Sequence, residues 1–234
     1  MVRVINHTNL SYSVRGFYSP EPSFGKYYPM AILNIDYMNK KDEYIALLKS
    51  TNRQGIDECL LVLEQLGFFT APASTKFHLN TDGGLVEHSL NVCKVALRIR
   101  ETMIELDNTL AAKLPKESII IAALLHDVCK SDIYKKTIKR QKNATGQWVD
   151  MEGYDVDYSN LPLGHGEKSV IIALQTGLSL TKDEILAIRW HMHAWELPFQ
   201  SYEAKSCLTV AKENTPLVTL IQTADGLASN LLEK

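Results

Sequence analysis

In the stretch AALLHDVCK, His126 and Asp127 follow directly on seven apolar residues, Ile119 to Leu125, with no turn residue between. A run that is apolar all round reads as a helix buried on every side. Its end therefore carries an imidazole and a carboxylate into the interior. The same pattern recurs along the chain. In GGLVEHSLNV, His88 stands one helical turn before Val92 and shares a stripe with Leu85 and Val95. In LPLGHGEKSV, His165 opens a helix whose same face carries Ser169 and Ile172. In LAIRWHM, His191 shares a face with Ala187 and Ile188, and in LIQTADGLAS, Asp225 shares one with Ile221 and Ala228.

One histidine on an apolar face is ordinarily a satisfied core residue. Four histidines and two aspartates on five such faces are a different matter. An isolated buried carboxylate costs on the order of several kcal/mol unless it is paired or coordinated. No Lys or Arg lies within these stripes to neutralise Asp225. Two divalent cations would satisfy every member at once. Imidazole nitrogen and carboxylate oxygen suit Mn²⁺, Fe, Zn²⁺, Ni²⁺ or Co²⁺, and Mg²⁺ remains admissible. Adjacent residues on a regular helix cannot point the same way. A His-Asp doublet at a helix end can instead serve two neighbouring ions, the carboxylate bridging them.

The elements that must position these residues are mainly helical. Residues 42–49 and the stretch GIDECLLVLEQLG predict two short helices, the second closed by Gly67, and a longer helix spans about Leu85–Leu106. Pro115 stands near the start of the buried helix. Between 134 and 160 the helical period fails, and Thr, Ile, Trp and Val flanking NATG predict a β-hairpin at about 134–152. Helices resume at 165–176, ended by Gly177. Thr181 to Glu184, TKDE, has the form of a capping box. A last helix is expected from Thr215 as N-cap, with Pro216 in its first turn, to the end. Residues 1–40, which include RGFYSPEPSFGKYYPM, read as an irregular arm packed on a body formed by 41–234.

The order His88, His126–Asp127, His165, His191, Asp225 resembles the HD-domain metal-dependent phosphohydrolases. More narrowly, GGLVEHSLNV, ALLHDVCK, GHGEKS and IRWHM resemble the HD domains of bacterial 3′–5′ exoribonuclease-like proteins. The likeness covers about residues 44–234. It implies an all-α HD bundle, here with one inserted hairpin, around a metal site. Single-metal members lack the middle two histidines, so their presence favours two metals. The resemblance implies that His88, His126, Asp127 and Asp225 bind one ion. It implies that Asp127, His165 and His191 bind the second, with Asp127 shared. A hydroxide bridging the ions would attack phosphorus, so Asp127 belongs to the catalytic apparatus.

Lys130 follows Asp127 by three residues, and lysines of HDxxK stretches in this family face the substrate phosphate. A solvated lysine favoured by the helix dipole is the alternative. Lys168, one turn after His165, either reaches a phosphate or is exposed. His193, where such relatives often carry glycine, lines the substrate entrance, gives a proton to the leaving group, or is a surface histidine on a frayed helix end. Glu87 could orient His88 or be a surface acid, and Arg189 is expected to point away. No partner is assignable to His7 or His78. The run KSDIYKKTIKRQK holds six basic residues against one acid. With Tyr134 and Trp148 nearby it could steer and stack on a phosphodiester.

Composition narrows the field. Hydrophobic residues make up 45% and charged residues 22%, which argues against a wholly disordered chain, and the formal charge of −2 gives no general reason to expect nucleic acid. No apolar run approaches the roughly 20 residues of a membrane span, and the first residues lack the apolar centre of a signal peptide. Cys59, Cys93, Cys129 and Cys207 form no Cys-x-x-Cys pair, so free thiols in a reducing cytoplasm are expected. The leading expectation is a two-metal phosphohydrolase or phosphodiesterase. Its substrate would be a phosphorylated small molecule, an oligonucleotide or a nucleic-acid 3′ end. The first 40 residues leave no room for the additional OB domain of the exonuclease relatives, which counts against processive RNA degradation. Two other classes stay open: a di-iron oxygenase using the same six ligands, and a catalytically silent nucleotide-binding module.

Overall fold

The computed structural model describes residues 39–198 and 200–233. All but the last two residues of the expected arm, His7 among them, lie outside the described residues. The described chain is a helical bundle with one two-stranded hairpin, as its patterning predicts.

Helix α1 is Lys40–Ser50 and α2 is Ile56–Gln65. Asn39 caps α1, its side chain accepting from the N–H of Asp42 at 3.0 Å. Helix α3, Gly84–Leu106, buries Leu85, His88, Ser89, Val92, Cys93 and Ala96, the i, i+3, i+4 stripe of an amphipathic helix. After a short turn of helix, α4 (Leu110–Lys113), comes α5, Lys116–Leu125. Every α5 residue from Ser118 onward is buried, and the helix packs against α3 and α1. Tyr44 of α1 donates its hydroxyl to the carbonyl of Leu124 at 2.9 Å, tying α1 to the end of α5.

The α-helical ladder stops at Leu125. His126 to Cys129 form tight turns, with Val128 N–H bonded to Leu125 O and Lys130 N–H to Asp127 O. Helix α6, Lys130–Ile133, leads into strand β1, Tyr134–Lys142, which pairs antiparallel with β2, Trp148–Val156. The hairpin runs four residues past the expected end at 152. Its base is extended by Tyr154, whose hydroxyl bonds Asp82, the carboxylate that also takes Lys136.

Helix α7 is His165–Gln175 and α8 is Lys182–Trp190. Gly166 lets them approach closely: a Cβ there would lie 2.1 Å from the carbonyl oxygen of Arg189. Thr181 and Glu184 form the predicted capping box. Glu184 also takes a two-pronged ion pair from Arg53 at 2.7 and 2.8 Å and a hydroxyl from Ser118 at 2.6 Å. A 3-10 turn, His193–Glu196, precedes α9, Tyr202–Asn214, and α10, Pro216–Leu227. Helix α10 packs on α3 and α8 and ends in a π-helical turn, Ala228–Leu232. Two expectations are corrected here. The last helix changes register after Leu227. Thr215 holds the N-cap position without capping, its hydroxyl reaching Asp183 at 3.4 Å instead.

Candidate metal centre

The six residues singled out by their apolar settings meet at one end of the bundle. Helix α3 supplies His88, the turn after α5 supplies His126 and Asp127, α7 opens with His165, α8 is followed by His191, and α10 supplies Asp225. The break in the α5 ladder lets neighbouring side chains 126 and 127 face one point. His88, His126, Asp127 and His191 are buried.

Their donor atoms face one another at coordination-like spacings. His88 Nε2 lies 3.2 Å from His126 Nε2, 3.6 Å from Asp127 Oδ2 and 3.3 Å from Asp225 Oδ1. His126 Nε2 lies 3.4 Å from Asp127 Oδ2. The other carboxylate oxygen, Oδ1, lies 3.4 Å from His191 Nε2 and 3.8 Å from His165 Nε2. Ligands bound at ~2.0–2.2 Å and separated by near-tetrahedral or octahedral angles stand ~3–3.6 Å apart, so most of these separations match what edges of a coordination shell would measure.

The far sides of the rings fix their tautomers. His126 Nδ1–H donates to Ala123 O and His191 Nδ1–H to Ile188 O, each at 2.8 Å. His88 Nδ1 meets Glu233 Oε2 at 2.9 Å and Oε1 at 3.2 Å, and Asn91 Nδ2 donates to Oε1 at 2.9 Å. With Nδ1–H committed, each neutral ring turns an Nε2 lone pair inward. Asp127 Oδ1 and His191 Nε2 are buried without a hydrogen-bond partner. Converging acceptors with no donor between them are costly; a proton on the His191 ring, which burial opposes but Asp127 favours, or a divalent cation removes that cost. The donor set fits metal ions on this ground.

Protonation follows the same logic. Burial would lower His88, but Asp127, Asp225 and Glu233 raise it to about 10, so a proton takes the cation's place between the acids. Burial lowers His165 to about 4, which leaves it a neutral lone-pair donor. Burial likewise lowers His126. Burial opposes ionisation of Asp225, yet His88 and His126 bring its pKa down. Asp127 is also held below the usual carboxylate range: burial is overcome by Lys130, His126 and His191.

Lys130 is buried with Nζ 2.5 Å from Asp127 Oδ2. It lines a cavity of about 240 Å³ together with Asp127, His191, Asp225 and Trp195. The other two expected substrate residues do not line that cavity. Lys168 is not exposed but almost fully buried, ion-paired with Asp132 and bonded to the carbonyl of Asn160. His193 has a left-handed backbone, φ 46°, and its Nε2 is buried without a hydrogen-bond partner. Glu87 pairs with Lys40, and Arg189 with Glu167 and Glu196, away from the donor atoms. Sequence reasoning missed Glu233 and left His78 without a partner. His78 Nε2 is 3.9 Å from Glu233 Oε2, and its ring centroid is 5.1 Å from that of His88. Nothing in the sequence spacing flags Glu233, which is 145 positions from the ring it holds.

A helical bundle with a histidine–aspartate donor cluster at one end defines a metal-site protein of the α class. Comparison of the sequence with known families matches the HD domain over residues 85–230, more than half of the chain. The chain belongs to the HD-domain family. It is also 31% identical over 124 residues to dihydroneopterin 2′,3′-cyclic phosphate phosphodiesterase of Methanocaldococcus jannaschii. That alignment covers 53% of this chain and 45% of the relative, so the chain spans less than half of that protein's length. These matches do not single out the exoribonuclease-like branch. No solved structure matches. No helix among the described residues is long and apolar enough to cross a membrane.

Proposed function

We propose that this protein is a metal-dependent phosphodiesterase of the HD family with a dinuclear centre. The observation that carries this reading is the division of Asp127. Its Oδ2 faces His88, His126 and Lys130, and its Oδ1 faces His191 and His165. A carboxylate with separate donor sets on its two oxygens is the arrangement a bridging ligand needs. His88, His126 and Asp225 would complete the first site, and His165 and His191 the second. The imidazole-rich set suits Mn²⁺, Fe²⁺, Co²⁺, Ni²⁺ or Zn²⁺ better than Mg²⁺. When bound, two such ions polarise the phosphoryl oxygens and make coordinated water nucleophilic near neutral pH.

The chain's own residues do the rest. Glu233 and the carbonyls of Ala123 and Ile188 hold the rings in one tautomer and orientation. Burial keeps bulk water from the donor atoms of His88, His126, Asp127 and His191. Lys130 offers three N–H donors from the cavity wall, and burial strengthens its attraction for a phosphate oxygen. Asp127 raises its pKa against the opposing effect of burial, so the ammonium stays charged throughout the working range. The relative's substrate is a cyclic phosphate joined to a pterin. That supports a phosphorylated small molecule, such as a phosphodiester of a nucleotide or a related heterocyclic alcohol, as the substrate here; nothing in the comparison favours an oligonucleotide or a nucleic-acid 3′ end.

The test is hydrolysis of bis-p-nitrophenyl phosphate by protein stripped of metal and reloaded with Mn²⁺, Fe²⁺, Co²⁺, Ni²⁺, Zn²⁺ or Mg²⁺. Metal-dependent nitrophenol release that disappears in Asp127→Ala is expected. Silence with every metal, together with iron-dependent O₂ consumption, would replace hydrolysis by oxygenase chemistry.

A further inference from the structure

The cavity beside the donor cluster has a second half that phosphate chemistry does not use. Trp195 lines it and is 88% exposed, the most exposed large hydrophobic side chain among the described residues. An exposed apolar residue alone needs no explanation. This one shares a cavity with Asp127 and Lys130, and the residue after it anchors its turn. His193, two residues before, takes the left-handed conformation. Glu196, one residue after, accepts from the N–H of Gly166 at 3.1 Å and from Arg189 at 3.2 Å. The indole is thus presented on a turn clamped to the N-terminal end of α7, next to His165.

Helix α10 supplies Gln222, Asp225 and Gly226 to the lining. Gly226 follows Asp225, and a Cβ added there would meet nothing within 4 Å. Glycine in the interior of a helix costs stability relative to alanine, yet here no packing contact demands it. The open space faces the cavity that Asp127, Lys130 and Trp195 also line. Gln222, one turn earlier, lines the same cavity, and its amide makes no hydrogen bond among the described residues.

We propose that Trp195, Gly226 and Gln222 form a slot for a planar heterocycle carried by the substrate's phosphodiester. The ring stacks on the indole, the glycine leaves it room, and the Gln222 amide meets its polar edge. This rests on the phosphodiesterase reading and adds the side chains that would select esters of heterocycle-bearing alcohols over simple aliphatic ones.

The experiment is calorimetric titration of the metal-loaded full chain with adenosine 2′-phosphate and, separately, with inorganic phosphate. Stacking predicts a tighter fit for the adenosine compound by about ten-fold or more. Trp195→Ala and Gly226→Leu should each remove most of that preference, and Trp195→Phe should restore part of it. Gly226→Leu improves helix propensity, so its melting temperature should not fall. Lost preference there reports a blocked slot rather than a damaged fold. A preference that survives both substitutions within two-fold overturns the slot, as does the lack of any preference in the wild type. Hydrolysis of bis-p-nitrophenyl phosphate that persists in those cases leaves the phosphodiesterase reading standing. Trp195-dependent adenosine binding without hydrolysis by any metal would overturn that reading and keep the slot.

Discussion

Replacing Glu233 by glutamine tests whether the carboxylate behind His88 serves the metal or only the fold. Glu233 is buried, and both of its oxygens lie within 3.2 Å of His88 Nδ1. Burial raises its pKa, but His88 and Asn91 bring it below the ordinary value, so it is ionised at neutral pH. Glutamine keeps one acceptor for the Nδ1–H and loses the charge. Hydrogen bonds to charged groups contribute about 1.5–3 kcal/mol against about 0.5–1.5 for neutral ones. The substitution therefore weakens the grip on the ring by about 1–1.5 kcal/mol, close to ten-fold in metal affinity. Loss of the partner altogether in Glu233→Ala should reach about 10–100-fold. Competition with a chromophoric chelator for Mn²⁺ or Zn²⁺ reads the affinity, and scanning calorimetry of the metal-free protein reads the fold. Removing the charge should also lower His88 from about 10 in metal-free protein, which an NMR titration follows. Wild-type metal affinity in Glu233→Gln would refute the orienting role. So would a stability loss in metal-free protein large enough to account for the whole effect.

Asp127→Ala should abolish turnover and lower the metal-loaded melting temperature most, because binding energy is linked to the folded state. Metal analysis should show both ions lost, and full activity would dismiss a shared carboxylate. His165→Ala should weaken chiefly one ion, seen as a drop from two equivalents toward one by metal analysis; two tightly held ions would mean the donor set is misassigned. Arg53→Ala leaves the buried Glu184 carboxylate without its ion pair and should cost about 3 kcal/mol in urea unfolding near pH 7. Burial would raise the Glu184 pKa, but Arg53 and Ser118 hold it below its ordinary value. The stabilisation is thus present above the unfolded-state pKa and fades as pH falls through the folded one. The gap between wild type and Arg53→Ala should close in acid, and a gap constant from pH 7 to pH 3 would exclude the pair as its source.

Local signals foretold much of the bundle. Helix α3 shows a long apolar stripe, and the capping box at Thr181 states its own chemistry. Helix α9 escaped notice because it buries only Leu208 and Ala211, too few for a stripe. The hairpin ran past its predicted end because Tyr154 is held by Asp82, 72 positions away. Side-chain direction at Lys168 was also beyond local reading: one turn after His165, it turns to Asp132 rather than to the donor cluster.

The sequence by itself determined which residues could not rest in an apolar interior unpaired: His88, His126, Asp127, His165, His191 and Asp225. That is a matter of residue type and helical period, both local quantities. Only the tertiary structure decided that these residues share one place, that the two oxygens of Asp127 face different histidines, and that Glu233 stands behind His88. Those facts depend on how five helices and a π-helical turn pack. Packing is set by contacts between residues far apart in the chain, for which no spacing rule exists.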